Sequence, residues 1–356
     1  MPRILLGAAT LAADRGGIAR VARLTGRVIT ETGHRLDAVS YLDGPETGAP
    51  FAFAATGASK TRFAAQAHWR GIRADFSIHD SLGIAQAHPR LPGLRKPYAV
   101  WLHGIEAWRE LSPRSLAVLR GAGRLFVNSR HTLERVTGAH GPLPEARICH
   151  LATEEDAAPP CVKRAGPPTV LILGRIDVSE AYKGHRELID AWPAVLRHVP
   201  EARLLVAGGE TGLGALMTQA RASAAAGAIT FLGHVPQPDI DALWHQATLF
   251  AMPSRGEGFG LVYAEAMRHG VPVIASRHDA GSEVNRDGET GFSVDLDEPG
   301  ALAERIARLL SDPVLAGRMG EAARRRWQAE FSYSRFRTRF GALLDEWIGE
   351  SAKARR

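Results

Sequence analysis

Short apolar runs alternate with longer mixed segments along the whole chain, the rhythm of β-α units building parallel sheets. In the first half the runs RILLGA, RLDAVSYL, DFSIHD, PYAVWLHG and RLFVNS predict strands. The stretch AAPPCVKRAGPP, residues 157–168, is proline-rich and without periodicity, and reads as a linker. The pattern then restarts with TVLILGR, ARLLVAGGE, AITFLGHV, ATLFAMPS, VPVIAS and GFSVD, separated by helical stretches such as HRELIDAWPAVLRHV. From about Pro299 onward the chain reads as helices, and the basic, amphipathic RRRWQAEFSYSRFRTRF is suited to pack across a domain surface. The expected organisation is α/β: a Rossmann-like domain over residues 1–160, a second over 161–330, and a helical segment over 331–356 packing back towards the first. Ligands of open α/β sheets sit beyond the carboxyl ends of the strands, so two such domains are expected to face each other across a cleft.

Composition adds little to this picture, with one exception. No apolar run reaches the ~18 residues of a membrane span, and the start MPRILLGAAT reads as a buried strand, so a soluble, cytoplasmic protein is expected. Two cysteines, Cys149 and Cys161, lack metal-ligand spacing and are expected to be plain thiols. No solenoid repeat appears. Charge is uneven: residues 1–160 hold 20 Lys and Arg against 14 Asp and Glu, and the rest hold 24 against 24, so the whole +6 lies in the first half. A basic first half suits an anionic partner. Within it, ASKTRFAAQAHWRGIR interleaves Lys60, Arg62, Arg70 and Arg73 with Phe63 and Trp69. This helix either rests on lipid headgroups or is a solvated helix with two aromatics in the core. A nucleic-acid partner is not expected, because no recognisable module accompanies the basicity.

The densest chemistry lies in PSRGEGFGLVYAEAMRHGVPVIAS, residues 253–276. It reads as a strand end, a glycine-rich turn and a helix closed at Gly270. Gly256, Gly258 and Gly260 let backbone amides approach a ligand, and a helix N-terminus favours an anion. Glu257, in the turn, repels phosphate but accepts hydrogen bonds from sugar hydroxyls; Glu265, eight positions on, reaches a second hydroxyl pair such as a ribose. One acid per sugar ring with a diphosphate between them is the layout of a sugar nucleotide. The residues alone leave open a reading in which Glu257 caps the helix and Glu265 is a solvated position. Upstream, LILGRIDVSEAYKGHRELI sets Arg175 past a strand end and Lys183 at the start of the next helix, two cations suited to a diphosphate. Gly174 and Gly184 are expected to relieve crowding at both points.

Other signals are weaker. Gly16 and Gly17 stand between the first strand and helix without the three-glycine dinucleotide fingerprint, which counts against an NAD-dependent dehydrogenase. His103-Gly104 ends a strand at a carboxyl edge, where a histidine is either structural or a partner of sugar or phosphate. The triplet DLD, Asp295 to Asp297, resembles a D-x-D metal motif but comes late in the second half, and no metal is expected. No P-loop, G-x-S-x-G elbow or H-E-x-x-H is present.

Taken together, GR…KG at Gly174, Arg175, Lys183 and Gly184, then LLVAGGE, FLGHV, the Glu257-x7-Glu265 block and DGETGF resemble the retaining glycosyltransferases of family four, which have the GT-B fold. The spacing SEAYKGH is most similar to bacterial exopolysaccharide mannosyl- and glucosyltransferases. The resemblance implies that Arg175 and Lys183 bind the donor diphosphate. It implies that Glu257 holds the donor sugar, helped by Gly258, Phe259, Gly260 and Leu261, and that Glu265 holds the ribose. His234 and Val235 would frame the base, Gly16 and Gly17 approach phosphate, and His103 touches the sugar. It also implies a hexose moved from a nucleotide diphosphate sugar, a co-substrate rather than a cofactor, without metal. The basic first half, with its aromatic-basic helix, favours a lipid-linked or oligosaccharide acceptor at the inner face of the plasma membrane. Where the family commonly carries paired glycines, this chain reads HDAGSEVN, and Glu283 is retained without that context. A sugar-nucleotide epimerase or a phosphorylase of the same fold is the nearest alternative.

Overall fold

The computed structural model describes residues 1–89, 96–160, 166–209 and 211–353. Cys161 and the middle of the proline-rich linker lie outside the described residues. The chain divides into two units, one of Met1–Glu154 with the chain from Tyr333 onward, the other Glu155–Ser332. The change of unit thus falls between Glu154 and Glu155, ahead of the proline-rich stretch.

The first unit holds a seven-stranded sheet of β1 (Arg3–Ala8), β2 (Arg35–Ser40), β3 (Ala54–Ala55), β4 (Phe76–His79), β5 (Tyr98–Leu102), β6 (Arg124–Val127) and β7 (Ala146–Ile148). Its order is β3-β2-β1-β4-β5-β6-β7, and every pairing is parallel. The second holds β8 (Thr169–Leu173), β9 (Arg203–Ala207), β10 (Ile229–Gly233), β11 (Leu249–Ala251), β12 (Val273–Ser276) and β13 (Gly291–Val294), ordered β10-β9-β8-β11-β12-β13 and again parallel. Sheets with helices on both faces need strands that are apolar throughout. Ile4-Leu5-Leu6, Val100-Trp101-Leu102 and Val170-Leu171-Ile172 are accordingly fully buried.

In each sheet the strand order reverses once, between β1 and β4 and between β8 and β11. At such a switch point neighbouring loops diverge to opposite faces and leave a crevice beyond the strand ends.

The last helix, Tyr333–Lys353, completes the core of the first unit. Phe340 lies 5.5 Å from the Trp101 ring and 5.1 Å from Phe126, and Trp347 meets Phe76 edge-on at 5.1 Å. Aromatic pairs at such separations add to the burial of the rings themselves. Two carboxylates of this helix, Glu346 and Glu350, ion-pair with the buried Arg124.

The basic helix of the first unit runs Lys60–Arg73. Phe63, Ala67 and Gly71 face the core, whereas Trp69 is 53% exposed with the Arg73 guanidinium 3.8 Å over its ring. Only one of its two aromatics is therefore a core residue. Among the described residues no helix is long and apolar enough to cross a membrane.

Candidate functional site

The switch point of the second unit gathers the residues expected to bind a donor. β8 ends at Leu173, and Gly174 donates its N–H to the Ala207 carbonyl at 3.1 Å while Arg175 continues outward, 58% exposed. The chain then makes a 3-10 turn, Val178–Lys183, begun by Asp177, which accepts from the Ser179 amide at 2.8 Å and from Thr211 Oγ1 at 2.7 Å. The Ser179 and Thr211 donors hold the Asp177 carboxyl down at about 2. Lys183 ends this turn rather than starting the helix, which runs His185–His198 with Gly184 as its N-cap.

Gly184 has a stereochemical reason to be glycine. Its φ is +86°, and a Cβ there would stand 2.4 Å from the Pro253 carbonyl oxygen, so the turn after β8 meets the loop after β11 backbone to backbone. Gly174 does not relieve crowding of this kind: its nearest neighbour would be Lys183 Nζ at an ordinary 3.7 Å. A further bond, Arg255 N–H to the Tyr182 carbonyl at 2.9 Å, ties the same two segments. Lys183 is thereby held with its side chain only 14% exposed.

The loop after β11 carries Glu257. Its N–H donates to Asp279 Oδ2 at 2.9 Å and its carbonyl accepts from Ala280 at 3.2 Å, which fixes it against the loop after β12. Tyr263 supports the loop from beneath, donating its hydroxyl to the Met252 carbonyl at 2.5 Å. Burial pushes the Glu257 carboxyl up to about 7; Lys183 opposes this, Asp279 and Glu180 reinforce it, and Arg175 opposes it weakly. Glu257 does not cap the following helix. The helix Leu261–Arg268 begins at Gly260, which takes φ +83° and offers no side chain, so its first amides have no side-chain cap. Glu265 lies just over one turn along this helix, half-buried. Gly258, Phe259 and Leu261 are buried, and the Phe259 ring packs edge-on against Phe331 at 5.9 Å, which leaves only its backbone for a ligand.

His234 and Val235 follow β10, with His234 exposed. They connect to the rest through the β9 loop, where Gly208 N–H donates to the Gly233 carbonyl at 2.8 Å. Gly174, Arg175, Lys183, His234, Val235, Glu257 to Leu261 and Glu265 thus all belong to loops or helices leaving the carboxyl edge of one sheet. Three residues of this edge escaped the sequence reading. Glu180 contacts both Arg175 and Lys183, and Asp279 and Tyr263 hold the Glu257 loop. An acid between two cations in RIDVSEAYK is a legible signal for Glu180. Asp279 sits in the HDAGSEVN stretch, where Glu283 drew attention; the Glu283 and Val284 carbonyls instead accept from Arg326, each at 2.8 Å.

Comparison with known proteins decides the family. The family described as "Glycosyl transferases group 1" matches residues 154–326. A GDP-mannose-dependent alpha-(1-6)-phosphatidylinositol monomannoside mannosyltransferase of Mycolicibacterium smegmatis is 34% identical over 281 residues, 71% of this chain and 70% of that one. The chain belongs to the group 1 glycosyltransferases. A glycogen synthase of Mycobacterium tuberculosis H37Rv is 30% identical over 235 residues, 65% of the chain, which spans about half (54%) of that relative. Among solved structures, Anabaena HepE in complex with UDP and glucose superposes with a TM-score of 0.77, covering 97% of this chain and 99% of that one at 18% identity. The fold is GT-B.

Elsewhere in this glycosyltransferase, the first unit has its own switch point. There Asp80, at the end of β4, accepts from the Ala9 amide at 2.5 Å. Burial pushes the Asp80 carboxyl up to about 7. His103, one residue past β5, stands with Nε2 2.7 Å from the Asp80 carbonyl. A carbonyl only accepts, so Nε2 carries the proton and Nδ1 is the acceptor. Burial lowers the pKa of His103, which favours this neutral form. Gly16 and Gly17 are not in the loop but open the helix Gly16–Glu31, with Gly16 at φ +81°. The DLD acids of the second unit do meet a histidine: His278 Nε2 is 3.1 Å from Asp295 and 3.8 Å from Asp297. All three ligand-type groups are already engaged: Arg255 pairs with Asp297 at 2.7 Å, the Leu296 N–H donates to His278 Nε2 at 3.1 Å, and the Asp297 N–H donates to Asp295 Oδ1 at 2.9 Å.

Proposed function

We propose that the transferase is a retaining hexosyltransferase that moves mannose or glucose from a nucleotide diphosphate sugar to a lipid-linked or oligosaccharide acceptor in cell-surface polysaccharide synthesis. The observation that carries this reading is the convergence of Arg175, Lys183 and Glu257 on the β8/β11 switch point, beside an uncapped helix N-terminus. Arg175 and Lys183 take the diphosphate, together with the amides at Gly260 and Leu261. Glu257 accepts from donor-sugar hydroxyls, Glu265 from the ribose, and the backbone at His234 and Val235 borders the base.

In the reaction the bond from the anomeric carbon to the diphosphate oxygen breaks, and the acceptor oxygen bonds to that carbon on the same face. The acceptor proton passes to the departing diphosphate, whose growing charge Arg175 and Lys183 stabilise. A double displacement would need a carboxylate nucleophile behind the anomeric carbon, and the reading assigns none. Two cations on the diphosphate make a metal dispensable. GDP-mannose is the first donor of this reading, supported by the name of the mycobacterial relative, and UDP-glucose the second, in keeping with the UDP and glucose of HepE. The outward Trp69, Lys60, Arg62 and Arg73 support contact with anionic headgroups at the inner face of the membrane.

The test is a melting curve with GDP-mannose or UDP-glucose. A donor present at a hundred times its Kd stabilises by about 2.7 kcal/mol and raises Tm by several degrees. Transfer measured afterwards is expected to survive EDTA within twofold. No shift with any nucleotide sugar contradicts the reading. Loss of the rate in EDTA would give the His278, Asp295 and Asp297 cluster a role, and epimerised donor formed without acceptor would make the enzyme an epimerase.

A further inference from the structure

One acid at the switch point is used by none of the roles above. Glu180 Oε1 is bonded to the Arg175 guanidinium and its Oε2 lies 2.7 Å from Lys183 Nζ, so a single carboxylate spans both cations. Glu180 is 12% exposed, far less than Arg175. The turn that carries it is fastened at its start by Asp177 on Ser179 and Thr211, and at its end by Gly184 against Pro253. Within the turn Glu180 alone departs from helical geometry, at φ −112° and ψ 25°. Burial opposes ionisation of Glu180, but hydrogen bonds from Arg175 and Lys183 outweigh it and hold the carboxyl below its ordinary value.

Resting on the reading that Arg175 and Lys183 grip the donor diphosphate, we propose that Glu180 is a positioning counter-anion that holds these two cations in register and competes with the diphosphate for them. A carboxylate offers two oxygens to two cations, as adjacent phosphates do. Without it, the guanidinium just past β8 and the ammonium at the end of the turn repel each other and lose their fixed geometry. With it, the site carries one less positive charge towards the ligand, so donor and product are bound less tightly than they would be without this carboxylate. Glu180 touches no reacting atom in this account. It acts through Arg175 and Lys183, and it spares the enzyme from being trapped by its own nucleoside diphosphate product.

Calorimetric titration of UDP, GDP and inorganic pyrophosphate into wild type, Glu180→Gln, Glu180→Asp and Lys183→Ala tests this. Glu180→Gln is expected to bind the nucleotide that wild type binds about tenfold more tightly, with a steeper loss of affinity in salt. The donor KM should fall in that variant without a rise in kcat. Glu180→Asp, which keeps the charge, should stay within a few fold of wild type. Glu180→Ala, expected to match Glu180→Gln, is the second neutral variant should the amide misfold. Unchanged or weaker binding in the neutral variants, with binding lost in Lys183→Ala, overturns the counter-anion and leaves the donor site standing. Wild-type binding in Lys183→Ala, or no binding of any probe by wild type, removes the donor-site reading and this inference with it.

Discussion

Replacing Lys183 by alanine should lower kcat/KM for the nucleotide sugar at least about a hundredfold while leaving the fold intact. The departing diphosphate gains charge as the glycosidic bond breaks, so an ammonium aimed at it is worth more in the transition state than in the ground state. One well-aimed donor in a partly dehydrated site supplies roughly 3 kcal/mol, or about two decades in rate. In the proposed function Lys183 is that donor, and Gly184 and the Arg255–Tyr182 bond fix its backbone while its side chain is largely shielded. Steady-state kinetics beside a melting curve separate this from unfolding. A variant within a few fold of wild type would remove Lys183 from the chemistry.

Glu257 should give an effect of similar size, with a pH signature of its own. Its carboxyl, ordinarily near 4.5, is pushed to about 7 by burial, with Asp279 and Glu180 adding to the shift and Lys183 and Arg175 opposing it. In the proposed function the ionised form is the one that accepts hydrogen bonds from sugar hydroxyls. The expected result is a kcat/KM that falls about tenfold per pH unit below about 7, since this ratio reports the free enzyme. Glu257→Gln should be down at least about a hundredfold and lack that inflection. If the inflection survives in the variant, it belongs to another group, and Asp80, also pushed to about 7, is the first to test.

Stability should move the other way. A carboxyl whose folded pKa lies above its unfolded one binds more protons in the folded state, so the fold loses stability as pH rises from about 4.5 through about 7. Glu257→Gln is therefore expected to melt above wild type at pH 8. An acid held ionised against its surroundings is a cost that the proposed contact with the donor sugar would explain.

Much of this architecture could be read from the chain because parallel strands buried on both faces are continuous apolar runs. β1, β5, β8 and β12 are such runs, and each was visible as one. β3 and β7 were not, for a physical reason: they are two and three residues long, lie at the two edges of the first sheet and are half-buried, so no periodic pattern marks them. The outward turn of Trp69 was likewise invisible, since spacing alone does not say which side of a helix finds the core. At the site, residue types and spacing singled out Arg175, Lys183, Glu257 and Glu265, and the fold sets all four on loops, turns or a helix leaving the carboxyl edge of the second sheet. Glu180, Asp279 and Tyr263 were missed because they act on other protein groups. Their partners are set by how loops from β8, β11 and β12 meet, and that meeting is a property of the fold rather than of any one segment.

The most direct measurement is a crystal structure of the enzyme with an intact nucleotide sugar bound. The account requires the guanidinium of Arg175 and the ammonium of Lys183 to stand within about 3 Å of diphosphate oxygens. It also requires the Glu257 carboxylate on hydroxyls of the transferred hexose. A nucleotide sugar seated elsewhere, with Arg175 and Lys183 turned to solvent or still joined to Glu180, would contradict it.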